Sequence, residues 1–174
     1  MQARRFWATL AAHQIASEVY MTDIADRLSE LGITLPVSPK PVAAYVPWVR
    51  SGNLIYISGQ LPFVDGALTV TGPVPSGVSI EDAAAAARMC AINALAVVND
   101  ALDGDLSKVR RVVRLGAFVQ SDDRFGAQPT VANGASELML EVFGDAGRHA
   151  RAAVGVNALP LDASVEVECI FEVE

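Results

Sequence analysis

The sequence predicts an α+β domain in which one mixed sheet carries two main helices on one face, a two-layer arrangement. One observation is an alanine-rich segment, "SIEDAAAAARMCAINALAVVNDALDG", with helix signals at both ends. Another is a later helical segment, "QPTVANGASELMLEVFG". A third is a closing strand in which Val165, Val167, Cys169 and Phe171 share one face. The predicted order of elements is hairpin, strand, helix, strand, helix, hairpin.

The N-terminal region divides into two short pieces before the main domain. Residues 1–20 are predicted to be an upstream extension, since they lack a convincing signal cleavage site and Met21 opens the better-formed sequence. Residues 21–40 contain a short helix, capped by Thr22 or Asp23, and a proline-rich link. That helix carries an apolar stripe and ends at a glycine; its members are Ile24, Leu28, Leu31 and the terminal Gly32. Residues 41–174 form the predicted domain.

Local signals bound the predicted elements of this domain. Residues 51–53, Ser-Gly-Asn, predict the turn of the first hairpin, and Pro47 marks its first strand as an edge or a bulge. The first main helix begins with Ser79 and Asp82 as a capping box and ends at Gly104. The run "KVRRVVRLGAFVQ" is a predicted strand between the helices. Pro129 and Gly144 mark the start and end of the second helix.

Composition limits the classes of partner. A hydrophobic fraction of 52% with no run near the roughly 20 residues of a membrane span predicts an oligomer and no membrane partner. The net charge of −7 and the pI of about 4.8 disfavour nucleic acid. Cys90 and Cys169 match no disulfide framework, which favours the cytoplasm. Two histidines, His13 and His149, without a CxxC motif offer no zinc ligand set, so no metal is predicted.

Arg151 is unusual because it stands near the head of an apolar run in the closing segment. If residues 150–174 form a hairpin that turns around Ala158 and Leu159, antiparallel pairing places Arg151 opposite Glu166. A cross-strand salt bridge then explains both residues. Alternatively, Glu166 orients a guanidinium that binds a ligand carboxylate. The residues alone favour the salt bridge.

Three other positions have both a structural and a functional interpretation. Asn133, followed by a glycine in the second helix, is either an irregular helix start or an amide aimed at a ligand. Ser58 and Gly59 form a bulge or turn, or a place where the backbone approaches a ligand. Tyr45 is a core aromatic or a pocket residue. No activated nucleophile accompanies Ser58.

The segments "SGNLIYISGQLP", "RVVRLGAFV", "VANGASELMLEVFG" and "ARAAVGVNALPLDASVEVECI" together resemble the RidA/YjgF family of enamine/imine deaminases. The resemblance implies a chorismate-mutase-like fold, a homotrimer with sites between subunits, and no cofactor. It implies hydrolysis of 2-aminoacrylate and related 2-imino acids to 2-keto acids and ammonia. Arg151 would bind the substrate carboxylate and Glu166 would place the attacking water. The implied pocket residues are Tyr45, Ser58, Gly59 and Asn133.

Two departures from the family pattern border this pocket. Many RidA proteins have a cysteine two positions after the arginine, where this chain has Ala153. The segment "SDDRFGAQPTVANGA" is also longer than in well-characterised deaminases. Two other functions therefore stay open: a non-catalytic trimer that binds a small carboxylic acid, and an endoribonuclease or translation inhibitor. The acidic balance disfavours the latter.

Overall fold

The structure, a computed structural model, describes residues 24–38 and 45–174. The predicted extension over residues 1–20 and the cap predicted at Thr22 or Asp23 lie outside the described residues. Helix α1, Ile24–Glu30, opens the described part. Its predicted stripe is confirmed, since Leu28 is buried in the core while Ile24 and Leu31 pack against it. The chain turns after α1 at Gly32, where φ is 66°.

The main body is a five-stranded mixed sheet with two long helices. The strands are β1 Trp48–Ser51, β2 Leu54–Gln60, β3 Phe63–Val64, β4 Ala67–Leu68, β5 Val109–Gln120, β6 Ala150–Val156 and β7 Val165–Val173. The helices are α2 Ile80–Ala101 and α3 Gln128–Phe143. The main sheet has the order β1-β2-β7-β5-β6, and β3 pairs with β4 separately. Only β5 and β6 run parallel among the neighbours of the main sheet.

Most local predictions from the sequence are confirmed. Ser51 pairs with Leu54 across the first hairpin turn, and β1 is an edge strand, although Pro47 lies just before it. The Ser79 hydroxyl accepts a hydrogen bond from the backbone N–H of Asp82 at the start of α2. None of the helices in the described ranges has the length and hydropathy required for a transmembrane span.

The predicted closing hairpin is wrong. Strand β6 pairs in parallel with β5, and β5 separates β6 from β7. The reason is the burial of each strand: β7 buries every second residue and pairs with both β2 and β5, whereas β6 is a largely exposed edge strand. A turn near residues 158–159 suits either arrangement, so local signals did not distinguish them. Arg151 is consequently in register with Leu115 and not opposite Glu166.

The helices pack closely because their contact surfaces consist of small residues. Helix α2 buries a series of alanines against the sheet and α3, among them Ala83, Ala86, Ala87 and Ala94. On α3, a Cβ atom at Gly134 would overlap the carbonyl oxygen of Ala84 and lie 2.8 Å from its carbonyl carbon. Gly134, unexpected inside a helix, is therefore explained by close approach of the two helix backbones.

Gly134→Ala is expected to destabilise the fold by about 1–2 kcal/mol. The gain in helix propensity is about 1 kcal/mol. Overpacking against a backbone atom that cannot rotate away costs about 1–3 kcal/mol or more, and this term outweighs the gain. Chemical denaturation measures the difference. Glu137→Ala, at an exposed position of the same helix, is the matched control and is expected to change stability by less than about 0.5 kcal/mol. A stabilised Gly134→Ala protein would contradict the packing argument.

Candidate active site

The predicted site residues lie in two groups on opposite faces of the sheet. Arg151 is in register with Leu115, which is in register with Cys169, and both partners are buried beneath the helices. Residues in register across a sheet share a face. Arg151 therefore lies on the helix-covered face, at the sheet edge that β6 forms, where it is exposed.

Helix α3 holds the guanidinium of Arg151. Its Nη1 donates to the Oδ1 of Asn133 at 2.9 Å and to the Oγ of Ser136 at 3.0 Å. Asn133 and Ser136 are three residues apart and so lie on the same side of α3. Both Nη1 protons are thus used, whereas Nε and Nη2 make no hydrogen bond within the described residues. The free Nε–Nη2 edge has the geometry that binds a carboxylate through two hydrogen bonds.

The second group surrounds Glu166 on the open face of the sheet. Glu166 alternates along β7 with the buried Val165 and Val167, so its side chain projects away from the helices. Gly59 lies in an irregular stretch of β2, between the register positions of Ile57 and Gln60. A Cβ atom at Gly59 would overlap the Oε1 atom of Glu166 and lie 2.7 Å from its Cδ. The missing side chain of Gly59 leaves room for this carboxylate.

Ser58 connects this group to the segment that carries Tyr45. The Ser58 hydroxyl donates a hydrogen bond to the carbonyl oxygen of Val46 at 2.7 Å. The backbone N–H of Ser58 donates to the carbonyl oxygen of Pro47 at 2.9 Å. Tyr45 itself is 57% exposed, which rules out the core role considered for it. Ser58, Gly59 and Glu166 are therefore neighbours, while the cationic group of Arg151 and Asn133 lies apart from them.

The Glu166 carboxylate is half-buried and has no hydrogen-bond partner among the residues that the structure describes. Burial raises the pKa of Glu166, and the negative charge of Glu168 raises it further. Glu168 differs, because its Oε1 accepts from the Nη1 of Arg114 at 2.6 Å. One carboxylate is thus fixed in an ion pair, and the other is free to bind water or accept a proton.

Glu168→Gln is expected to lower the pKa of Glu166, because it removes the neighbouring negative charge. If the reaction requires ionised Glu166, the acidic limb of kcat/KM against pH moves to lower pH. The glutamine keeps the size of the side chain beside Gly116, where a Cβ would lie 2.7 Å from the Glu168 Oε1. Glu172→Gln, farther along the same strand face, is the control. An acidic limb that stays in place would argue that Glu166 does not control the profile.

Sequence reasoning missed four residues of these two groups. They are Ser136 and His149 beside Arg151, and Glu168 and Arg114 near Glu166. Spacing could have indicated three of them. Ser136 is three positions after Asn133 on a helix, His149 is two before Arg151 and directly precedes β6, and Glu168 is two after Glu166 on a strand. Arg114 could have been identified only from the strand order, which the sequence did not predict.

A family model described as "YjgF/chorismate mutase-like, putative endoribonuclease" matches residues 25–173. The chain belongs to the YjgF family. The match runs through the described fold from α1 to β7, so the resemblance inferred from the sequence and the fold class are confirmed.

Individual YjgF relatives agree with this assignment. Protein TCP17 of Trypanosoma cruzi is 46% identical over 150 residues, covering 86% of this chain and 93% of TCP17. A 2-iminobutanoate/2-iminopropanoate deaminase of Dermatophagoides farinae is 31% identical over 143 residues, covering 82% of this chain and 95% of the deaminase. The crystal structure of Atu1372 from Agrobacterium tumefaciens, a protein of unknown function, superposes with a TM-score of 0.81. It is 53% identical and covers 87% of this chain and 93% of Atu1372.

Proposed function

We propose that this YjgF-family protein hydrolyses reactive 2-imino acids and their enamine tautomers, such as 2-aminoacrylate, to 2-keto acids and ammonia without a cofactor. The observation that carries the proposal is the guanidinium of Arg151, fixed through Nη1 with its other edge free to bind a carboxylate. The similarity to a deaminase of D. farinae supports the same reaction class. The unpaired carboxylate of Glu166 supplies the second group that the reaction needs.

In this mechanism Arg151 binds the substrate carboxylate and thereby fixes the position of the imine carbon. Glu166 accepts a hydrogen bond from a water molecule and orients its oxygen toward that carbon. The substrate reacts as the protonated imine: the carbon–oxygen bond forms, the C=N π electrons move to nitrogen, and Glu166 takes a proton from the water, which gives a neutral carbinolamine. Glu166 then returns this proton to the amine nitrogen, and the carbon–nitrogen bond breaks to expel ammonia. The hydroxyl proton passes back to Glu166 as the keto group forms, and it leaves on the ammonia as ammonium. The imine carbon is already electrophilic, so the scheme requires no covalent intermediate.

The opposite placement of Arg151 and Glu166 leads us to propose that each site is built from two copies of the chain. The open sheet face carries exposed apolar side chains that a second copy would cover, among them Val49, Tyr56 and Val154. A head-to-tail contact that closes as a ring brings the Arg151 edge of one subunit to the Glu166 face of the next. We propose a homotrimer, in line with the family resemblance, and a cytoplasmic location, in keeping with the free, buried Cys90 and Cys169.

Hydrolysis of RNA is less well supported. The densest basic run, residues 108–114, does not present a row of cations without acidic partners. Lys108 pairs with Asp105, Arg110 with Glu174 and Arg114 with Glu168, at 3.6, 2.8 and 2.6 Å. Neutralisation of phosphates needs clustered cations without such partners.

The experiment that tests the proposal follows pyruvate formation from freshly generated 2-aminoacrylate above the uncatalysed background. Acceleration that is proportional to protein concentration and survives repurification supports a deaminase. Absence of acceleration for 2-aminoacrylate, 2-iminobutanoate and bulkier 2-imino acids would reject it. Calorimetric titration with 2-oxobutanoate would then test the alternative, a binding protein that keeps the carboxylate anchor and lacks turnover.

A further inference from the structure

A chain of hydrogen bonds extends behind Arg151 and ends on the backbone. The Nδ1 atom of His149 lies 2.6 Å from the carbonyl oxygen of Gly147, and its Nε2 lies 3.0 Å from the Oγ of Ser136. The same Oγ accepts from Arg151 Nη1 at 3.0 Å. His149, Ser136 and Arg151 also line one surface cavity of about 270 Å³. The proposed reaction uses Ser136 only as one of the two acceptors for Nη1 of Arg151, and it gives no role to His149.

Hydrogen-bond chemistry gives this chain a direction. A carbonyl oxygen only accepts, so Nδ1 of His149 must carry the proton that is donated to Gly147. In the neutral ring Nε2 is then an acceptor, and the Ser136 hydroxyl donates to it. The hydroxyl proton therefore points away from Arg151, and the oxygen lone pairs face Nη1. Gly147 is itself buried, and a Cβ there would meet the backbone of Met139, so its carbonyl is a fixed end point.

We propose that Ser136 and His149 are positioning residues for Arg151, the substrate anchor. His149 accepts the hydroxyl proton of Ser136, and the Ser136 oxygen is thereby held as an acceptor that fixes Nη1 of Arg151. The fixed guanidinium presents its Nε–Nη2 edge to the carboxylate of a 2-imino acid. This inference rests on the proposed function for the identity of the ligand. Its geometric part, the orientation of Arg151 by His149 through Ser136, does not depend on turnover.

Nuclear magnetic resonance of ¹⁵N-labelled protein tests the geometric part. We expect the Nδ1–H tautomer at His149 and restricted rotation of the Arg151 guanidinium, seen as separate Nη proton signals. Ser136→Ala and His149→Leu are expected to release that rotation. Ser136→Thr, which keeps the hydroxyl, and His149→Gln, which keeps an acceptor for it, are expected to preserve it. An Nε2–H tautomer, or rotation unaffected by Ser136→Ala, would overturn the proposal.

Steady-state kinetics tests the functional part. Ser136→Ala and His149→Leu are expected to raise KM for the 2-imino acid by about tenfold with kcat within about twofold, since the anchor acts alike in substrate and transition state. The double variant should resemble either single variant, because the three residues form one chain. Ser107→Ala, at a serine remote from the site, is the control. A lower kcat at unchanged KM would overturn positioning. If no imine is hydrolysed, the proposed function fails, and the resonance experiment still decides the inference.

Discussion

Arg151→Ala is expected to lower kcat/KM for 2-aminoacrylate hydrolysis by at least about a hundredfold, because two charge-assisted hydrogen bonds to the substrate carboxylate are lost together. Arg151→Lys is expected to recover only part of this, since an ammonium group cannot reproduce the planar fork. The measurement is the rate of pyruvate formation at several substrate concentrations, corrected for the uncatalysed reaction. The loss should appear mainly in KM.

Folding does not complicate this test, because Arg151 is exposed and its hydrogen bonds lie at the sheet edge. The free energy of unfolding of the alanine variant is expected to lie within about 0.5 kcal/mol of that of the wild type. Arg148→Ala is a matched control, since this neighbouring arginine is exposed and pairs with Asp145 at 3.1 Å. A well-folded Arg151→Ala protein that retains its rate would remove Arg151 as the carboxylate anchor.

Glu166→Gln is expected to lower kcat by about a hundredfold, because the amide cannot accept the proton of the attacking water. Activity should return when Glu166→Gln and Arg151→Ala chains assemble together. In a head-to-tail ring of three, every mixed trimer has one junction that joins an intact arginine to an intact glutamate, which predicts about one third of wild-type activity. Co-expression with two different tags and tandem purification isolates the mixed trimers.

The control for this experiment pairs Arg151→Ala chains with Arg151→Ala/Glu166→Gln chains, which share no intact junction in any arrangement. If the mixed trimers are as inactive as this control, the two residues act within one chain, and the proposed subunit-spanning site is wrong. Recovered activity would instead assign Arg151 and Glu166 of each site to different subunits.

The parts of the fold that could be predicted were those determined by nearby residues. Ser79 with Asp82 fixed the start of α2 because a cap acts over three residues, and β7 was recognised because its buried positions alternate. Asn133 and Arg151 were both candidates, and the structure joins them by a hydrogen bond of 2.9 Å.

The remainder depended on which strand lies next to which. The predicted pairing of Arg151 with Glu166 was wrong because β5 lies between β6 and β7. This strand order is determined by burial over the whole sheet. From the sequence Gly134 is only a weak helix former, and the reason for it is the backbone of Ala84, which packs directly against it. The sequence indicated His149 only as a possible metal ligand. Its contact with Ser136 could not be predicted, because that contact depends on how β6 packs beside α3.

If each site needs two chains, as proposed, the sheet that separates Arg151 from Glu166 also makes catalysis depend on protein concentration. A correctly folded but dissociated subunit is then inert, and specific activity falls on dilution while the folded fraction stays constant. A charged substitution at Tyr56 or Val154, on the exposed apolar face, would then stop turnover by shifting this association equilibrium. Such a variant would regain its rate when concentrated, which no damage to the reacting groups themselves could imitate.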